Sequence, residues 1–153
     1  MDFDIKNGCV VKYTGKGGTV DIPKGTEVIG ETAFFKSTAE VINIPYGVKR
    51  INSGAFSACT RLKIVNIPET VEFIGDNVFY GDIYLTQINV SDKNKFFKSV
   101  SGVLYDKEMK TLMVCPKKTE GVFIVPEGIE EIKELSFDSC GQITEIKLPE
   151  SVN

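Results

Sequence analysis

The stretch from Ile44 to Pro68 reads IPYGVKRINSGAFSACTRLKIVNIP, and it begins and ends on the same dipeptide. An apolar residue followed by proline recurs at Ile22-Pro23, Ile44-Pro45, Ile67-Pro68, Val125-Pro126 and Leu148-Pro149, at intervals of 22 or 23 residues wherever the markers are adjacent. The gap between Pro68 and Pro126 is 58 residues; a degenerate marker at Val90-Ser91 fills one slot of 23, leaving 35 residues as an insertion. Self-similarity at a fixed period of this length identifies a stacked repeat architecture.

Working outward from each proline, an apolar residue stands at +3 and +6, with a small residue and Phe at +10 and +11. The copies read Val48, Ile51, Ala55-Phe56; Val71, Ile74, Val78-Phe79; and Ile129, Ile132, Ser136-Phe137. The first copy, one residue shorter, reads Thr26, Ile29, Ala33-Phe34. Toward the next proline come LKIVNIP from Leu62, LTQINVS from Leu85 and ITEIKLP from Ile143. The alternation at the end of each unit predicts a half-buried strand, and the +3, +6, +10 spacing predicts a turn or short helical stretch behind it. Neither half buries its apolar side alone, so the units must stack. The expected fold is a right-handed solenoid of about four to five units, with parallel strands on one face and a β-hairpin inserted between the Val90 and Val125 strands.

Composition narrows the chemistry. The chain has 153 residues, 42% of them hydrophobic, and a formal charge of −3. That supports one core and gives no electrostatic reason to seek nucleic acid or an anionic membrane. No apolar run approaches the roughly 20 residues of a membrane span, and MDFDIKNG lacks the basic and then apolar start of a signal peptide. The absence of histidine removes every mechanism that relies on imidazole as base or metal ligand. No catalytic residue, cofactor site or metal site is expected.

Several motifs invite a chemical reading and lose it on inspection. KYTGKGGTVDIPKG, Lys12 to Gly25, has the glycines of a phosphate loop but no Ser or Thr after Lys16, so the P-loop pattern fails. PKKTEGVFIVPEG before Pro126 occupies the same slot, so both segments are expected to turn the chain from a lead-in hairpin into a strand. Cys59 and Cys140 share a repeat position suited to a buried thiol, and Cys9 and Cys115 lie in the two lead-in segments. Each pair is separated by about a solenoid, too far for a disulfide, so four free thiols are expected. Glu130-Glu131 and Asp76 with Asp82 read as solubilising charges, because no calcium-loop pattern accompanies them. DKNKFFK, Asp92 to Lys98, mixes bases with Phe96 and Phe97, yet no second basic patch supports a nucleic-acid site.

The unit IPYGVKRINSGAFSACTRLKIVNIP resembles the BspA-like leucine-rich repeat family, as does nearly the whole chain. SVSGVLYDKEMKTLMVCP is similar to that family's recurrent hairpin, with strands near Val103 to Tyr105 and Thr111 to Cys115. Departures are Asp82 and the Ser37 region in place of cysteine, and Ser91 in place of proline. The resemblance implies a non-enzymatic module of a secreted or cell-surface bacterial protein that mediates adhesion or protein binding. The competing expectation is a structural spacer or presentation module within a larger protein.

The expected organisation is a single domain over 1–153, with a lead-in hairpin and first strand over 1–22 and the hairpin insertion over 92–121. Val152 stands where another unit would open, so the array is expected to be part of a longer one. The hairpin is either an appendage or a member of the stack. Along each closing strand, the residues two and four before the proline position point away from the core. That places Asn43, Asn66 and Asn89 in one outward column, with Asp21, Ile124 and Lys147 continuing it, and Val41, Ile64 and Gln87 in the next. The asparagines form either a ladder between strands or part of a binding face, whereas exposed Val41 and Ile64 read as an interaction patch. The expected partner is a protein, either a host matrix or surface protein or a flanking part of the same polypeptide, with a glycan as a further ligand class.

Overall fold

The computed structural model describes residues 1–153. The chain opens with an antiparallel hairpin, β1 (Phe3–Lys6) and β2 (Cys9–Tyr13). Three units follow, each with a front strand and, after its proline, a two-residue back strand. They are β3 (Gly18–Asp21) with β4 (Val28–Ile29), β5 (Ala39–Asn43) with β6 (Arg50–Ile51), and β7 (Ile64–Ile67) with β8 (Phe73–Ile74). A fourth front strand, β9 (Gln87–Val90), leads into β10 (Phe97–Val100), β11 (Val103–Asp106) and β12 (Thr111–Val114). The array resumes with β13 (Gly121–Ile124), β14 (Glu131–Ile132) and β15 (Ile143–Lys147).

Front strands β3-β5-β7-β9 pair in parallel, and behind them β2-β4-β6-β8 do the same, with β1 on the outside. The front strands number six rather than the four to five units expected, because the degenerate Val90 copy and the Leu148 copy both supply one. Between the two faces lies a core of Val and Ile rungs and a phenylalanine stack: Phe34, Phe56 and Phe79 have ring centroids 5.2 and 5.7 Å apart, and Tyr13 of the lead-in hairpin closes the stack on Phe34 at 4.9 Å. All three phenylalanines are buried.

The back segment is not helical. Its amides alternate in use: those of Ala33, Phe35 and Ser37 bond three residues back, whereas those of Thr32, Phe34 and Lys36 bond to carbonyls of Ser53, Ala55 and Ser57 in the next unit. Thr32 and Lys36 have φ of 51° and 61°, and the equivalent pairs Gly54/Ala58, Asn77/Gly81 and Leu135/Ser139 are also left-handed. Two left-handed residues in every back turn interrupt a right-handed helix before it completes a turn. The apolar spacing that resembles a helix instead comes from successive tight turns.

The glycine-rich stretch is a turn between β2 and β3. Gly17 has φ of 90°, and a Cβ there would sit 2.3 Å from the Thr38 carbonyl oxygen, so glycine serves turn geometry and close approach to the next unit.

The insertion joins the stack. In the fourth unit the +3 position holds Asn94, which is buried; its amide nitrogen donates to the carbonyls of Pro68 and Val71, and its Oδ1 accepts from the Phe96 and Phe97 amides. Phe97 then fills the +6 slot, buried against the first core, while Phe96 is exposed. Only Phe96 therefore belongs to a solvent-facing basic segment. From there the chain turns into β10–β12. The β10–β11 connection covers the edge of β9, with Ile88 N–H donating to Gly102 O and Val90 N–H to Ser99 Oγ. β12 pairs in parallel with β14, as β2 does with β4. Cys115 N–H donates to Ser136 O where Tyr13 N–H donates to Ala33 O, so the insertion acts as a second lead-in hairpin. It divides the core into a large cluster and a smaller one around Val103, Tyr105, Leu112, Cys115, Val125 and Ile129.

Candidate functional site

The front face carries the candidate site because stacking leaves alternate side chains of β3, β5, β7 and β9 outside the core. Register places Val41 opposite Ile64, and Ile64 opposite Gln87; one step along, Asp21, Asn43, Asn66 and Asn89 stand in line. The polar column is a continuous side-chain ladder. Asn43 donates to Asp21 Oδ1 at 2.7 Å, Asn66 to Asn43 Oδ1 at 2.7 Å, and Asn89 to Asn66 Oδ1 at 2.9 Å. Beside it Val41 and Ile64 are half-buried, and Gln87 is exposed. Ile124 and Lys147 do not continue this column. They face each other across β13 and β15, which form a separate two-stranded sheet because the insertion ends the first sheet at β9.

Ion pairs between consecutive units flank the array: Lys63 with Glu40 at 2.7 Å, Lys49 with Glu72 at 2.9 Å and Lys110 with Glu130 at 2.6 Å. All are about half exposed, so each adds little stability. Glu130 and Glu131 are thus divided between Lys110 and Lys133. Asp76 is exposed and Asp82 fully buried, so the two carboxylates occupy different environments.

Asp82 occupies the slot that holds Cys59 one unit earlier. Its Oδ1 accepts the Cys59 amide at 2.8 Å, and its Oδ2 has no partner. Burial pushes this carboxyl up to about 8, opposed by the Cys59 amide and by Lys117, with Asp138 adding to the rise. Lys117 is itself buried, with its ammonium 3.9 Å from Asp138 Oδ2. The four thiols are all free. Burial holds the Cys59 thiol well above the usual range. Cys140 is the repeat equivalent of Cys59, but in space its neighbour is Cys115: the Cys140 sulfur lies 3.7 and 3.6 Å from the carbonyl oxygens of Cys115 and Pro116. The neighbouring thiol lowers Cys115 and raises Cys140, and burial adds to the rise at Cys140. No signal within the repeat pattern marks this adjacency, because Cys115 belongs to the inserted hairpin.

No group of three or more Cys, Asp or Glu side chains is gathered as a metal site would need. No helix is long and apolar enough to cross a membrane.

Stacked units with a parallel strand in front and tight turns behind define a leucine-rich repeat solenoid. The chain belongs to the BspA type leucine-rich repeat family, whose model matches six copies over residues 12–102 and 114–153. No curated protein matches it in sequence. Among solved structures, it is similar to a leucine-rich cell surface protein from Faecalibacterium prausnitzii, with TM-score 0.79 and 27% identity over 89% of this chain and 36% of that one. It is also similar to the pneumococcal vaccine antigen PcpA, with TM-score 0.70 and 25% identity over 86% of this chain and 39% of that one. A leucine-rich repeat protein from Eubacterium ventriosum shares the fold, with TM-score 0.62 and 20% identity over 94% of this chain and 54% of that one. The chain thus spans well under two thirds of the length of these proteins.

Proposed function

We propose that this chain is a non-enzymatic protein-binding module of a secreted or cell-surface bacterial protein, and that its front face, centred on Ile64 and Asn66, contacts the partner. The observation that carries the reading is the pair Val41 and Ile64, adjacent in register on the outward side of the sheet. Both are half-buried and lie outside the two core clusters, and apolar patches rimmed by polar groups mark interaction sites. Asn43, Asn66, Gln87 and Asn89 form that rim. The likeness to a cell surface protein supports the location. The partner is a host matrix or surface protein, or a flanking segment of the same polypeptide; a glycan is a further ligand class for the amide column.

A structural spacer is the second reading, and the ladder favours it: the amides of Asn43 and Asn66 both donate and accept within the column. The two readings separate on one experiment. Val41→Lys and Ile64→Lys are combined, folding is checked by circular dichroism, and binding to immobilised matrix proteins and to the flanking polypeptide is measured. Loss of binding with folding intact supports the front face. Undiminished binding moves the site elsewhere, and absence of binding by the parent chain supports the spacer.

A further inference from the structure

The insertion leaves a vacancy on the back of the solenoid, where the fourth unit has no back turn. In the first two units, the carbonyls of Glu27 and Ile29, then of Lys49 and Ile51, accept amides of the following unit. Likewise the amides of Thr32 and Phe34, then of Gly54 and Phe56, donate to carbonyls of the following unit. In the third unit these bonds stop. β8 ends its sheet, the carbonyls of Glu72 and Ile74 accept nothing across that edge, and the amides of Asn77 and Phe79 have no acceptor. The next amide in the series, Gly81, is met at 3.5 Å by Asp138 Oδ2 from the resumed array, which marks where the vacancy closes.

The space beside this edge is a cleft of about 690 Å³, within the size range of ligand sites. Phe73, Phe79, Phe97, Met113, Val114 and Leu135 supply its apolar lining. Its two lysines are already engaged, Lys117 by Asp138 and Lys133 by Glu131, and Glu72 is engaged by Lys49. Asp76 and Glu134 remain on the rim without an ion-pair partner.

We propose that this cleft binds an extended basic peptide, which supplies the missing rung. The peptide's amides donate to Glu72 and Ile74, and its carbonyls accept from Asn77 and Phe79. One set of alternate side chains lies on the apolar lining, and a lysine or arginine from the other set reaches Asp76 and Glu134. Backbone pairing of this kind gives affinity, while the pockets for alternate side chains give specificity. Of these residues Ile74 and Phe79 are buried while Glu72 and Asn77 are exposed, and an unpaired sheet edge of this kind is a template for an added strand. The site is distinct from the front face and does not depend on it.

The test uses the whole 153-residue chain and end-blocked octapeptides alternating lysine with valine. Three versions are compared: the parent, one with its backbone amides N-methylated at alternate residues, and one with glutamate in place of lysine. Binding is followed by amide chemical shifts and hydrogen exchange. The parent peptide is expected to slow exchange at Asn77 and Phe79 at least tenfold, and the other two are expected to bind at least tenfold more weakly. The exposed-rim variant Asp76→Lys/Glu134→Lys is expected to reverse the preference between the lysine and glutamate peptides, with the spectrum of the core unchanged. Equal binding of the N-methylated peptide overturns the strand-addition geometry. Equal binding of the glutamate peptide overturns the charge assignment. Absence of binding by all three at millimolar concentration overturns the site. The Val41→Lys/Ile64→Lys variant is expected to bind the peptide normally, so failure of one surface is distinguishable from failure of the other.

Discussion

At the scale of single residues, position in the repeat decides what a side chain costs to change. Phe56 is fully buried between Phe34 and Phe79, so Phe56→Ala is expected to destabilise the chain by roughly 3–5 kcal/mol, read from denaturant unfolding. Phe96→Ala, at an exposed site, is expected to change the midpoint little. An unchanged midpoint for Phe56→Ala would contradict the packing. Asp82 behaves differently, because its raised carboxyl makes stability depend on pH. An acid that titrates near 8 when folded and near its ordinary value when unfolded contributes most below the unfolded value. Stability is then lost as pH rises through that window, by at most about 1.4 kcal/mol per pH unit. Asp82→Asn keeps an acceptor for the Cys59 amide, removes the titration and is expected to flatten the slope between pH 5 and 8; a slope equal to the parent's would place the titration elsewhere. The sequence shows Asp82 as a departure from the cysteine slot, but its proximity to Lys117 and Asp138 is invisible there, since both come from beyond the start of the insertion.

At the scale of elements, the pattern of apolar positions was enough to place every front strand, because an in–out alternation has one reading when half the residues must be buried. It was enough, too, to set Val41, Ile64 and Gln87 in one column. The back segment was less legible. Thr32, Lys36 and Leu135 adopt left-handed backbone without being glycine or asparagine, so composition gives no warning that the segment turns instead of coiling. Asn94 similarly occupies an apolar slot, and its side-chain amide spans the turn that diverts the chain into β10. The hairpin's membership of the stack has a direct consequence for dynamics. Amides in β11 and β12, with Leu104, Tyr105 and Leu112 buried, are expected to exchange far more slowly than those of a solvent-exposed hairpin. Fast exchange throughout Val103–Val114 would contradict that integration. Asn66→Ala breaks the amide column on both sides and is expected to cost about 1 kcal/mol. A cost near zero would mean that the ladder is maintained for a reason other than stability.

At the scale of the whole molecule, the insertion matters more than any one unit. It divides the hydrophobic core into clusters of 26 and 6 buried residues, and stability in a solenoid is a sum over units and their nearest-neighbour interfaces. The second stack, β13 to β15, is therefore expected to open first, with its amides exchanging faster than those of β5 and β7 at any denaturant concentration below the midpoint. Coincident protection across both stacks would show that the join transmits full cooperativity. The direction of the interstrand hydrogen bonds adds a mechanical property. They run along the solenoid axis, from each strand to its neighbour in the next unit, so tension applied between the two chain ends loads the bonds of one rung before those of the next. Such a chain peels instead of shearing. Each released unit of 23 residues adds about 80 Å of slack, and the weakest junction, where the front sheet ends at β9 and begins again at β13, yields early. Under load applied to its two ends, the domain is expected to lengthen in steps, unit by unit, where a single globular core would give way at once.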